Sequence, residues 1–90
     1  MNGLVSCVVP SFNRAHLLKE ALESILCQTH PHWELIIVDD RSTDHTAEMV
    51  AGYAQKDPRI KYYLNKEKGV SSARNYGVEM AMGEYIAFLD

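Results

Sequence analysis

The chain has little of what the simplest functional assignments require. Its two cysteines, Cys7 and Cys27, show neither a C-x-x-C spacing nor a histidine at ligand distance, which excludes a thiolate zinc site and a dithiol redox motif. Two small buried hydrophobes in a reducing compartment account for them, with a disulfide as the alternative. No apolar run approaches the roughly 20 residues of a membrane helix, and the amino end has no charged segment leading into a long apolar one. A cytoplasmic location is the expectation. The nine basic residues are scattered and the net charge is −3, so nucleic acid has no electrostatic footprint to meet. Four histidines, His16, His30, His32 and His45, show no supported metal spacing.

What is present fits one globular domain: 90 residues, 47% hydrophobic and 23% charged. The organising stretch is Trp33 to Asp44, WELIIVDDRSTD. Leu35 to Val38 form an unbroken apolar run, the pattern of a strand covered on both faces, and it delivers Asp39 and Asp40 to the strand's carboxyl end. Before it, Leu4 to Val9 reads as a strand ended by Pro10, and His16 to Gln28 repeats apolar residues at helical spacing. After it, Thr43 or Asp44 can cap a helix from about His45 to Lys56, with Ala47, Val50, Ala51 and Ala54 as its inner stripe. Ile60 to Leu64 predicts an edge strand. A helix with a small-residue face then runs from Gly69 to Gly83, where Gly77 permits close approach to the sheet, and Glu84 to Leu89 predicts a fourth strand. The order β-α-β-α-β-α-β with right-handed crossovers predicts an α/β, Rossmann-like parallel four-stranded sheet of order 3-2-1-4 with helices on both faces. Winding reverses between strands one and four, and ligands bind at such switch points.

The residues brought to that rim have competing explanations. Asp39 and Asp40 are turn formers and caps, or ionised acceptors for a pyrimidine N–H or a ribose hydroxyl. Phe12 in PSFNR stacks on a base or staples the first helix. Arg14 pairs with a phosphate or is solvated. Arg74 and Asn75 lie in the first turns of a helix whose amino end, with Gly69, Ser71 and Ser72, suits a diphosphate. Lys66 and Lys68 read as solvated loop charges. Asp90 alone is a thin metal signal, since Mg2+ and Mn2+ take several oxygen donors. EYIAFLD stops on an acid where a strand should hand over to a loop, so the chain is expected to be the front part of something longer.

PSFNR, ELIIVDDRSTD, GVSSARNYG and GEYIAFLD, in this order and spacing, resemble the amino-terminal half of a family 2 glycosyltransferase of the GT-A fold, over essentially residues 1–90. The resemblance implies a GT-A domain truncated after its fourth strand, acting in cell envelope polysaccharide synthesis. It would bind a nucleotide-sugar donor, a UDP-sugar in the first instance, and pass the sugar to a sugar or lipid-linked acceptor hydroxyl. Pro10 and Phe12 resemble the positions framing the base, Asp40 the acid that reads it, and Arg74 the basic residue near base and phosphates. Asp90 matches the first acid of a D-x-D pair that holds Mn2+ or Mg2+; the second acid would lie two positions later. The general base of the inverting reaction lies beyond the chain end, so no catalytic residue is assigned and these residues alone are expected to be inert. The resemblance places the full-length protein at the inner face of the membrane.

Three rivals have distinct signatures. A two-component receiver needs its acid pair after strand one and a phosphoacceptor after strand three, where IKYYL offers no acid. A dinucleotide-binding domain needs G-x-G-x-x-G after strand one, where PSFNR stands. A non-catalytic binding or assembly module would keep the scaffold, and the unpaired flank of strand four would favour a homodimer.

Overall fold

A sheet sandwiched between helices requires a strand that tolerates burial on both sides, and β2 (Trp33–Asp39) is that strand, with all seven residues buried. Leu35, Ile36, Ile37 and Val38 are each 1% exposed or less, and each such side chain contributes about 1.5–3 kcal/mol of hydrophobic stabilisation. In the computed structural model, which describes residues 3–89, β2 is flanked by β1 (Val5–Ser11) and β3 (Ile60–Leu64), with β4 (Tyr85–Phe88) beyond β1. The order is β3-β2-β1-β4 and every pairing is parallel, as the alternation of elements predicts. The crossovers are α1 (Ala15–Cys27), α2 (Thr46–Lys56) and α3 (Val70–Met80).

Alternate residues of the strands serve opposite faces. Val9, Leu35, Ile37 and Ile60 pack against Leu18, Leu22 and Ile25 of α1 and Val50 of α2. Ile36 and Val38 pack on the other side with Ala73 of α3. Gly77 is what lets α3 close on β1, because a Cβ there would lie 2.3 Å from Val8 Cγ1.

Three local expectations shift. Pro10 lies inside β1, opposite Val38, instead of ending it. The Val8 carbonyl accepts the Leu89 N–H on the β4 side at 3.0 Å, and Pro10, two residues on, presents the same edge, so the donor that proline lacks is not one the β1–β2 ladder uses. In α2 the inward residues are Thr46, Met49, Val50, Tyr53 and Ala54, whereas Ala47 and Ala51 are exposed. Helical spacing is preserved and the phase is rotated toward the larger side chains, which bury more apolar area. The third helix ends at Met80 rather than Gly83, and the intervening turn is held from below. Glu34, 3% exposed, accepts hydrogen bonds from Ser6 Oγ at 2.6 Å, Lys61 Nζ at 2.8 Å and the Met82 N–H at 2.6 Å. Ser6 Oγ in turn accepts the Gly83 N–H at 2.8 Å.

Burial pushes the Glu34 carboxyl up, but its hydrogen bonds from Lys61, Ser6 and Met82 outweigh that and hold it below the ordinary carboxylate range. A carboxyl lowered by folding stabilises fully above its unfolded pKa of about 4.3, and that contribution disappears as pH falls through the lowered folded value. Urea denaturation as a function of pH should therefore show an acid limb that flattens in Glu34→Gln; an identical limb in both proteins would contradict this.

Candidate functional site

The carboxyl ends of β1 and β2 are joined across their loops by a small set of polar side chains. Asn13 sits at φ 48°, a left-handed conformation that asparagine tolerates better than most residues. Its Oδ1 accepts the N–H groups of Thr43 at 2.7 Å and Asp44 at 3.3 Å, while its own N–H donates to Ser42 Oγ at 2.8 Å. Asp44 returns the connection by accepting the Ala15 N–H at 3.2 Å, and it also accepts the Thr46 N–H at 3.1 Å. The bond from the Thr46 hydroxyl, with those N–H donors, holds the Asp44 carboxyl below its usual value. Asp44 thus steadies both α1 and α2 at their starts, from one residue ahead of the α2 cap position.

Behind this latch, a cavity of about 500 Å3 opens at the switch point between β1 and β4, within the range of small-molecule sites. Val9, Pro10, Ser11, Phe12 and Arg14 form one wall, Leu17, Leu18 and Ala21 of α1 a second, and Val70, Ala73 and Arg74 of α3 a third, with Asp40 and Leu89 completing it. Five sequence-predicted residues, Pro10, Phe12, Arg14, Asp40 and Arg74, therefore share one lining. Phe12 lines the cavity and is 54% exposed, so its ring is accessible there. The Ser11 hydroxyl, on the same wall, is buried without a hydrogen-bond partner among the described residues.

The two adjacent acids part company. Asp39 is 2% exposed and absent from the lining. It lies on the α1/α2 side, where its carboxylate accepts from Ser42 Oγ, from the Ser42 N–H at 3.1 Å and from Tyr62 Oη at 2.5 Å. Burial and this bond push the Tyr62 phenol well above its usual range, so it remains a donor. Asp40 faces the cavity, accepting from Asn65 Nδ2 at 3.1 Å and from the Gly69 N–H at 3.1 Å, with Arg41 3.8 Å away. Among the described residues, no three acidic, histidine or cysteine side chains converge as a cation site. Asp90, the expected metal ligand, lies outside the described residues.

Two polar residues escaped sequence reasoning here. Asn65, 2% exposed, has as its only sequence signal its position immediately after a strand. Ser11 carried none beyond its place in PSFNR.

The family model described as Glycosyl transferase family 2 matches residues 6–90. A glycosyltransferase of Rickettsia conorii is 46% identical over 86 residues, covering 96% of this chain and 14% of that protein. The Escherichia coli UDP-Glc:alpha-D-GlcNAc-diphosphoundecaprenol beta-1,3-glucosyltransferase WfgD is 42% identical over 88 residues, covering 97% of this chain and 34% of its own length. The structure of S. aureus TarS 1-349 in complex with UDP-GlcNAc superposes with a TM-score of 0.88 at 32% identity, over 97% of this chain and 26% of that one. The chain thus spans well under two thirds of the relatives it matches.

The Asn13 latch has a measurable energy. Asn13→Ala should lose the bonds that its Oδ1 accepts and meet the left-handed penalty, costing about 2–3 kcal/mol in urea denaturation. Asn13→Gly, free to adopt the same φ, should cost about 1 kcal/mol less; equal losses would contradict the role of backbone conformation.

Proposed function

The chain belongs to glycosyl transferase family 2, and on that premise we propose that residues 1–90 are the donor-nucleotide-binding half of a GT-A catalytic domain. The single observation supporting this most strongly is the convergence of Phe12, Arg14, Asp40 and Arg74 on one cavity at the switch point. A UDP-sugar suits that lining. Phe12 offers a ring face to the base, and Asp40, an acceptor only when ionised, takes the N–H of uracil. Arg14 and Arg74 supply cationic, fork-shaped donors for the diphosphate, while the first turn of α3 adds backbone N–H groups and the positive end of a helix dipole. Asp39, held by Ser42 and Tyr62, contributes by fixing the β2 loop and not by touching the nucleotide.

The whole enzyme would transfer the sugar to an acceptor hydroxyl with inversion. A lipid-linked acceptor is supported by WfgD, whose acceptor is alpha-D-GlcNAc-diphosphoundecaprenol, and such an acceptor would place the whole enzyme at the inner membrane face. No helix among the described residues is long and apolar enough to cross a membrane. The described residues do not themselves build a cation cage, so Mn2+ or Mg2+ is assigned to Asp90 on the family resemblance alone, together with groups outside this chain. Such a cation, when bound, neutralises charge on the leaving diphosphate. The part these residues take is to hold and orient the donor. Relatives give no support to a homodimer through the open edge of β4, where Tyr85 and Phe88 are exposed, and none is assigned.

Calorimetry with UDP tests the assignment. The chain should bind UDP weakly and show no sugar transfer, and Asp40→Ala should weaken UDP about tenfold or more, the worth of a hydrogen bond to a charged group. Equal affinity in the two proteins, or turnover by these 90 residues alone, would overturn it.

A further inference from the structure

Asp40 is held in place by a residue outside the cavity lining. Asn65 follows the edge strand β3 and is 2% exposed, and both polar atoms of its side chain are engaged, as is its backbone N–H. Its Nδ2 donates to Asp40 Oδ1 and to the Gly69 carbonyl, both at 3.1 Å. Its Oδ1 accepts the Ser72 hydroxyl at 3.2 Å, and its N–H donates to the Asp39 carbonyl at 2.8 Å. One amide therefore touches the acid at the end of β2, the residue that opens α3 and the first turn of that helix. An amide suits this position because it offers two donors, for Asp40 and the Gly69 carbonyl, and an acceptor for Ser72 at the same time, where a hydroxyl has a single donor.

We propose that Asn65 is a positioning residue for donor recognition, one that aims the Asp40 carboxylate into the cavity and locks it to the start of α3; this rests on the assignment of Asp40 to the nucleotide base. A carboxylate has about four lone-pair sites. Asn65 and Arg41 lie against Oδ1 and the Gly69 N–H reaches both oxygens, so Oδ2 keeps the larger spare acceptor capacity on a residue that lines the cavity. The acceptor is then oriented before the nucleotide arrives, and binding spends no free energy on ordering it. Asn65 touches no ligand in this account and acts only through Asp40.

That distinction is measurable by a double-mutant cycle on the chain, read by calorimetry with UDP and, separately, with inorganic pyrophosphate. Asn65→Ala should weaken UDP about tenfold, as losing a hydrogen bond to a charged group does, and leave pyrophosphate affinity unchanged. Adding Asn65→Ala to Asp40→Ala should cost nothing further. Losses that add, or that fall equally on UDP and pyrophosphate, would mean that Asn65 merely supports α3, and unchanged UDP affinity in Asn65→Ala would also overturn the proposal. If Asp40→Ala itself leaves UDP binding intact, the assignment of Asp40 to the base falls, and the proposal with it. Should Asn65→Ala lack a cooperative unfolding transition, Asn65→Ser, which keeps a hydroxyl at the buried position but cannot serve Asp40, the Gly69 carbonyl and Ser72 together, is read in its place. It should weaken UDP about threefold without affecting pyrophosphate, and no change would overturn the proposal.

Discussion

Burial of β2 on both faces is the constraint from which the remaining architecture follows. A strand with no solvent side must have helices above and below it, and parallel neighbours are the arrangement that supplies them through crossovers. Parallel pairing in turn sends every strand's carboxyl end to the same edge. The loops bearing Phe12, Asp40 and the start of α3 are therefore neighbours by topology, although they are far apart in sequence. With α1 and α2 on one face and α3 on the other, the reversal between β1 and β4 leaves the gap in which the cavity lies.

Polar groups inside this frame are few, and the acids and amide among them are closely satisfied. At the amino edge Glu34 gathers Ser6, Lys61 and the Met82 N–H, tying the α3–β4 turn beneath the sheet. At the carboxyl edge Asp39 and Asn65 do the corresponding work for the β2 loop and for α3. A half-satisfied network would cost more than an apolar substitute, so these side chains restrict where the loops can go. The Ser11 hydroxyl is the exception, and it stands on the cavity wall.

The strands and helices were legible because their signals are local. The run from Leu35 to Val38 and the helical spacing from Leu17 to Leu26 need no knowledge of the rest of the chain. The α2 face was misjudged because alanine contributes little apolar area, so Ala47 and Ala51 fix the phase poorly against Met49 and Tyr53. Adjacent acids at a strand end must face opposite sides, but which of Asp39 and Asp40 meets the cavity depends on which helix covers which face. Asn65 and Glu34 were illegible for a related reason. The Asp40 partner of Asn65 lies 25 residues away, and the Met82 partner of Glu34 lies 48 away; no spacing rule reports such pairs.

In the proposed function, one nucleotide meets the ends of β1 and β2 and the first turn of α3 simultaneously. Nuclear magnetic resonance of the isotopically labelled chain titrated with UDP tests it most directly. Backbone amide shifts should concentrate at Ser11 to Arg14, Asp40 and Gly69 to Arg74, and the residues around Glu34 and Met82 at the opposite edge should stay unchanged. Shifts centred on that opposite edge, or confined to one of the three segments, would contradict the account.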